Sequence, residues 1–302
     1  MQPVRGIVLI MIAVALFTVM QAGVKAADTI PAGQAVFFRS FFALPVILAW
    51  LVLTRRMRDG LRVKNWKGHA TRALVGSTAM GLGFFGLKYI ALPEATAIRF
   101  ATPMLIVVFA AMFLGERFRL IRLAAVSTGM IGVLIVMWPR LTFEAGDLAM
   151  LGAMMTLGSA ILAALAQIFV KSMVADETTA AIVFYFSLTA ATLSLLTIPF
   201  GWVWPQGINW VYMIGAGVVG GIGQIILTSA YRYADAGVLA PFTYVAMIYA
   251  LIIGYFAFGD LPTKSMIFGA SLVIAAGIVI ALRERALGVK ENAKRKIMAT
   301  KN

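Results

Sequence analysis

Ten apolar runs, each close to the length of a membrane span and joined by short connections, fill almost the whole chain. They lie near 5–25, 33–54, 72–91, 95–114, 120–138, 148–170, 179–199, 209–230, 236–258 and 264–282. An α-helix needs roughly 20 apolar residues to cross a hydrocarbon layer about 30 Å thick. Inside that layer every backbone amide and carbonyl must be paired within the protein, so a span is either a helix or a strand of a closed barrel. The period-two alternation of barrel strands is absent. The predicted fold class is therefore all-α integral membrane, with ten transmembrane helices. Composition agrees: 62% of the residues are hydrophobic and 13% charged, where soluble domains average about 45–50% and about 25%.

The charges that remain are unevenly placed. With the N-terminus set in the cytoplasm, twenty of the 26 lysines and arginines fall in cytoplasmic connections or the C-terminal tail. Four (Lys25, Lys88, Arg140 and Lys264) fall on the other side, and Arg39 and Arg99 lie within runs. Positive charge marks the cytoplasmic side, so both termini are expected there. The expected location is a multi-pass plasma membrane protein, in a bacterium the inner membrane. The net charge of +14 is thus read as topology; no soluble basic domain exists to bind nucleic acid. The first run has the Arg5, apolar stretch and Val24-Lys25-Ala26 of a cleaved leader, but its length and its likeness to the sixth run keep it as a helix of the mature chain.

That likeness is specific. GIVLIMIAVALFTVMQAGVK and GAMMTLGSAILAALAQIFVK place Gly6 on Gly152, Gln21 on Gln167 and Lys25 on Lys171, all at an offset of 146. Ala91 meets Ala234 at an offset of 143, and Gly115-Glu116 meets Gly259-Asp260 at 144. The chain therefore reads as two similar halves of five spans, residues 1–140 and 141–283, followed by a basic tail, 284–302. Five is odd, so the second half must enter the membrane from the opposite face. Inverted repeats of this kind recur in secondary transporters, with substrate near the midplane where the halves meet. The turns fit: Glu116 is followed by Arg117, Arg119 and Arg122, whereas Asp260 is followed only by Lys264.

Polar residues at depth are the candidate site. Gln21 and Lys25 share a helical face; the lysine can snorkel to the interface, while Gln21, and Gln167 with it, needs a partner or a wet cavity. A guanidinium in a span costs about 2.5–3.5 kcal/mol on insertion scales, so Arg39 and Arg99 should face protein or water. Arg39, matched by Tyr185 in the repeat, either holds helix-end carbonyls or an acid such as Asp28, or touches ligand. Glu94, five residues before Arg99, points about 140° away around the helix; Arg99 then answers either to an electron-rich ligand or to interhelical bonds. Pro103 and Pro241, in corresponding spans, are the expected hinges. Phe242, Tyr244 and Tyr249 near the second either stack on a flat ligand or pack. The glycine-rich GSTAMGLGFFG and GAGVVGGIGQ read as close helix packing, with Gln224 able to reach a cavity.

Catalytic and cofactor patterns are missing. There are no cysteines and one histidine, His69, so no thiolate or histidine metal site can form, and no ATP-binding loop is present. No cofactor is expected. Glu94 and Asp235 are the weak candidates for proton coupling, and a coupling ion stays open.

FFRS in the second run, LPEATAIRFATPMLIVVFAAMFLGER, and AYRYADAGVLAPFTYVAMIYALIIGYFAFGDLP together resemble the drug/metabolite transporter superfamily, in its EamA-type branch, over about residues 5–282. The resemblance implies a ten-helix alternating-access fold for small organic metabolites; similar members handle aromatic amino acids, riboflavin or S-adenosylmethionine. The expected function is a secondary transporter of a small polar metabolite (amino acid, vitamin or nucleoside-like), aromatic and anionic or zwitterionic. The site residues are Gln21, Arg39, Arg99, Gln167, Tyr185, Gln224, Phe242 and Tyr244. The alternatives are a lipid-modifying membrane enzyme, which would want a His, Asp or Glu cluster at one interface, and a non-transporting scaffold. Expected partners are the small-molecule substrate and the bilayer, not nucleic acid, with a monomeric or homodimeric state.

Overall fold

A computed structural model describes residues 3–55, 57–114, 120–141, 147–173, 176–233, 242–279 and 282. Among these the chain is helical, with no strand. The helices are α1 (Pro3–Ala26), α2 (Ala32–Phe41), α3 (Ala43–Leu53), a short α4 (Met57–Gly60), α5 (Trp66–Leu87), α6 (Leu92–Arg99), α7 (Ala101–Leu114), α8 (Leu120–Leu141), α9 (Asp147–Met173), α10 (Thr179–Ser194), α11 (Ile208–Tyr233), α12 (Val245–Phe258) and α13 (Lys264–Val279). Five stretches (Val4–Ala26, Ala32–Leu53, Leu148–Val170, Thr179–Phe200 and Ile208–Ala230) are long and apolar enough to cross a membrane, and shorter apolar helices include α12 and α13. Val4, Leu53, Phe200, Trp204 and Phe256 are each more than 70% exposed, a surface that suits lipid and not water.

Several spans are broken, each for a local reason. The second run is α2 and α3, meeting at Phe42 three residues before Pro45. The fourth is α6 and α7, meeting at Phe100 three residues before Pro103. A proline supplies no N–H to the turn before it, so it sits well in the first turn of a new helix and poorly inside an old one. In the seventh run α10 tightens into a 3₁₀ helix, Leu195–Phe200, that contains Pro199. Span nine breaks at Tyr244; Pro241 lies outside the described residues, as do Asp235 and the Gly115-Glu116 turn.

Packing joins the halves. The two most extensive pairings are α1 with α11 and α5 with α9; α2 also packs on α10, and α6 on α12. In α5 and α9 small residues permit the approach: a β-carbon on Gly86 would lie 2.6 Å from the Gly152 carbonyl oxygen. The last helices, α8 and α13, meet the same way, a β-carbon on Gly132 falling 2.6 Å from the Gly269 carbonyl oxygen. The main core cluster draws Leu92, Ile98 and Met104 together with Met137, Tyr244, Met247 and Val273, so among the described residues this core is shared between the first and second parts of the chain.

Candidate functional site

Gln21, in the last two turns of α1, accepts a hydrogen bond from Arg99 Nη1 at 2.7 Å, while its own amide nitrogen donates to the Phe17 carbonyl at 3.1 Å. The glutamine is therefore held by its own helix with its oxygen aimed at the arginine. Arg99 ends α6, where the break at Phe100 lets its side chain leave the helix line. Gly83 of α5 keeps space beside it; a β-carbon there would lie 3.9 Å from Arg99 Nη1 and 2.8 Å from Ser159 Oγ. Ser159 and Thr102 donate across helices, to the Ala79 and Ala160 carbonyls at 2.6 and 3.2 Å. Arg99 thus has a neutral amide for its partner, at a junction of α1, α5, α6 and α9. Glu94 is turned elsewhere, its Oε2 accepting from the Ala91 amide at 3.4 Å.

A second basic cluster lies along α5. Arg39 of α2 and Arg72 of α5 are 4% and 8% exposed, and both face the ring of Phe186, at 5.7 and 3.6 Å from its centroid. Those two distances bound the separation of the guanidinium carbons at about 9 Å. Nε and Nη1 of each arginine have no hydrogen-bond partner, nor have the buried hydroxyls of Ser40 and Ser187. Two like charges at that distance repel by about 2 kcal/mol at an effective dielectric constant near 20. Gly220 of α11 lies against both Arg39 Nε and Met20, the residue before Gln21. Arg72, Gly76 and Gly83 fall on one face of α5, and the 11 helical steps from first to last span about 16 Å.

The two ends of the bundle are tied differently. At one end Lys25 Nζ donates to the Ile90 carbonyl at 2.9 Å and lies 3.4 Å from Asp260 Oδ2. The same carboxylate oxygen accepts from the Leu92 amide at 3.2 Å. Gly259 makes this geometry: its φ of +67°, open to glycine without strain, ends α12 and turns Asp260 toward α1. Lys88, at the same end, donates to the carbonyls of Asp28 and Ile30. At the other end, Glu177 accepts from the amides of Lys64 and Asn65, both at 2.7 Å, and its Oε2 lies 3.5 Å from His69 Nε2. Burial pushes this carboxyl up, but the Asn65 and Lys64 amides and His69 outweigh it and hold Glu177 below the usual glutamate value.

The other expected site residues are dispersed. Tyr185 donates to the Leu61 carbonyl at 3.1 Å and contacts the rings of Trp66 and His69, away from Arg39. Gln167 is exposed, on the same face of α9 as buried Ala160, one heptad away. Gln224 is half-buried on α11. Phe242 packs against Ile10 and Ala230. Tyr244 is buried with its ring edge-on to Phe100, centroids 4.9 Å apart, so the two helix breaks touch. Arg72 was not among the expected residues. It stands at the edge of the third apolar run and counts there as a connection charge, but α5 starts at Trp66 and carries it almost two turns in. The Arg72–Gly76–Gly83 spacing is the signal that marks its face.

Residues 4–138 and 150–282 match the EamA-like transporter family model. The pseudopaline exporter of Pseudomonas aeruginosa is 29% identical over 280 residues, 91% of this chain and 95% of that one. The S-adenosylmethionine uptake transporter of Rickettsia prowazekii is 26% identical, covering 83% of each chain. The riboflavin transporter of Vibrio cholerae is 25% identical, covering 81% of each. A solved crystal structure superposes with a TM-score of 0.69 over 93% of this chain and 98% of that one, at 20% identity, a likeness of fold alone.

Proposed function

The chain belongs to the EamA-like transporter family, and from that premise we propose that it is an alternating-access carrier for a small organic anion or zwitterion. The observation that carries the charge of the substrate is Arg99 beside Gln21: a deep guanidinium whose partner is neutral and whose surroundings offer hydroxyls and carbonyls. Arg99 binds the anionic group, Gln21 orients the guanidinium, and Tyr244 and Phe100 form an aromatic wall at the paired helix breaks.

Helix pairing supports two inverted repeats, 1–140 and 141–283. The first span packs on the eighth and the third on the sixth. Those pairings exchange under the repeat, while second with seventh, fourth with ninth and fifth with tenth each map onto themselves. A two-fold axis in the membrane plane produces this pattern. Both termini are then cytoplasmic, and the Lys25–Asp260 tie closes the outer face. Solute or ion gradients drive transport, since the sequence has no ATP-binding loop.

The test is counterflow in proteoliposomes with a panel of organic anions, zwitterions and cations of similar size. Uptake of at least one anion or zwitterion, lost in Arg99→Ala, is expected. Transport of cations alone, or transport of anions that Arg99→Ala leaves untouched, overturns the reading.

A further inference from the structure

The Arg99–Gln21 junction accounts for one anionic group, yet the same interior carries two more guanidiniums that it leaves unused. Arg39 and Arg72 are more than nine-tenths buried, face one phenyl ring from different helices, and hold Nε and Nη1 without partners. Two hydroxyls on the same helices as Arg39 and Phe186, Ser40 and Ser187, are buried and unpartnered as well. Arg39 and Arg72 each lack an ion pair with any carboxylate of the described residues. A buried cation without an acid is among the most costly arrangements in a protein, and two together compound the cost. Guanidiniums match carboxylate and phosphate oxygens through paired N–H groups, and a flat apolar part of the same molecule fits the ring of Phe186.

We infer that Arg39 and Arg72, with Phe186 between them, form a second anion subsite, so that the substrate carries at least two anionic groups, carboxylate or phosphate. The proposal rests on the transport reading above and narrows its substrate class. A β-carbon on Gly220 of α11 would meet both Arg39 Nε and Met20 of α1, so the Arg39 side chain reaches the helix that carries Gln21. Gly76 leaves room at Arg72: a β-carbon there would stand 3.3 Å from its Nη1 and 3.0 Å from the Phe186 ring. Arg72 and the Gly83 position beside Arg99 are about 16 Å apart along α5, so an extended molecule of about that length would place its anionic ends on Arg99 and on the Arg39–Arg72 pair. Both arginines are enclosed by α2, α5, α10 and α11, which favours a soluble anion over a lipid headgroup.

The experiment is thermal unfolding of the purified full-length protein in detergent with acetate, succinate, citrate or inorganic phosphate, at matched ionic strength. Succinate, citrate or phosphate should raise Tm by about 3 °C or more above acetate. Arg39→Gln and Arg72→Gln should abolish that preference, and Arg39→Lys and Arg72→Lys, which keep the charge and serve if the glutamine variants unfold, should weaken it several-fold. Equal shifts for acetate and the multivalent anions, a preference that survives the glutamine pair or is undiminished in the lysine pair, or stabilisation by phosphatidylglycerol micelles without any by soluble anions overturns the inference. Counterflow separates the two readings: transport of monovalent anions that depends on Arg99 but not on Arg39 or Arg72 leaves the carrier standing and removes the second subsite.

Discussion

Replacing Lys25 with alanine should open one face of the protein. Lys25 Nζ binds the Ile90 carbonyl and pairs with Asp260, and Asp260 also holds the Leu92 amide, so three segments meet in one small polar knot. The two side chains are 16% and 19% exposed. An exposed ion pair contributes about 0–1 kcal/mol, and a hydrogen bond from a charged donor about 1.5–3 kcal/mol. Partial screening places the knot between them, at about 1–2 kcal/mol. If it closes that face, its loss shifts the open population by about 5- to 30-fold.

The chain has no cysteine, so one can be introduced as a clean reporter. Ala22, half-buried and just inside the knot, is the position of choice. The rate at which a membrane-impermeant maleimide labels Ala22→Cys, added from the face that carries Lys25, measures the open population. Lys25→Ala should accelerate labelling by about 5- to 30-fold, Asp260→Ala should do nearly the same, and the double variant should add little to either. A rate within twofold of the parent would refute the closing role. Fully additive effects would show that the two residues act separately.

Gln21→Glu places a carboxylate on Arg99; the protein should remain folded with an unchanged or raised Tm, while anion counterflow drops at least tenfold because the guanidinium is already paired. Glu177→Gln removes charge from the acceptor of two amides and should lower Tm at pH 6, reflecting about 1–3 kcal/mol. Because the folded carboxyl titrates below the unfolded one, its contribution is present above the unfolded value of about 4.5 and is lost as pH falls through the lower folded value, so the gap to wild type should narrow as pH falls below about 4.5. Gly132→Val drives a side chain into the Gly269 carbonyl and should cost about 1–3 kcal/mol, read as a lower Tm with ligand-induced shifts retained.

Hydropathy made the helices legible because each span satisfies its backbone alone, a property of about 20 consecutive residues. Breaks were legible where a proline causes them, as at Pro103. Contacts between spans were not. Nearby sequence offers Arg99 only the carboxylate of Glu94, whereas its partner is Gln21, 78 positions away; no local spacing encodes such a pair. Lys25 reads as an interfacial anchor in isolation, and only the turn at Gly259 reveals that Asp260 meets it. The sequence offset pairs Arg39 with Tyr185, but the two side chains have different surroundings: one faces Phe186 and the other the Leu61 carbonyl.

The energies of the knot and of the interior arginines belong on one scale. A ligand can shift a conformational equilibrium only by its difference in affinity for the two states. The knot is worth about 1–2 kcal/mol, and each charge-assisted bond from a bound anion to Arg39, Arg72 or Arg99 adds about 1.5–3 kcal/mol. A single small molecule can then outweigh the contact that shuts the face, which it could not do against a gate sealed by a large apolar surface at about 25 cal/mol for each Å² buried. On the proposed mechanism, removing Lys25 should change which face is open and raise the apparent anion affinity by no more than the gain in open population, about 5- to 30-fold. Removing Arg99 should do the opposite, weakening the anion and leaving the labelling rate at Ala22→Cys unaltered when no anion is present.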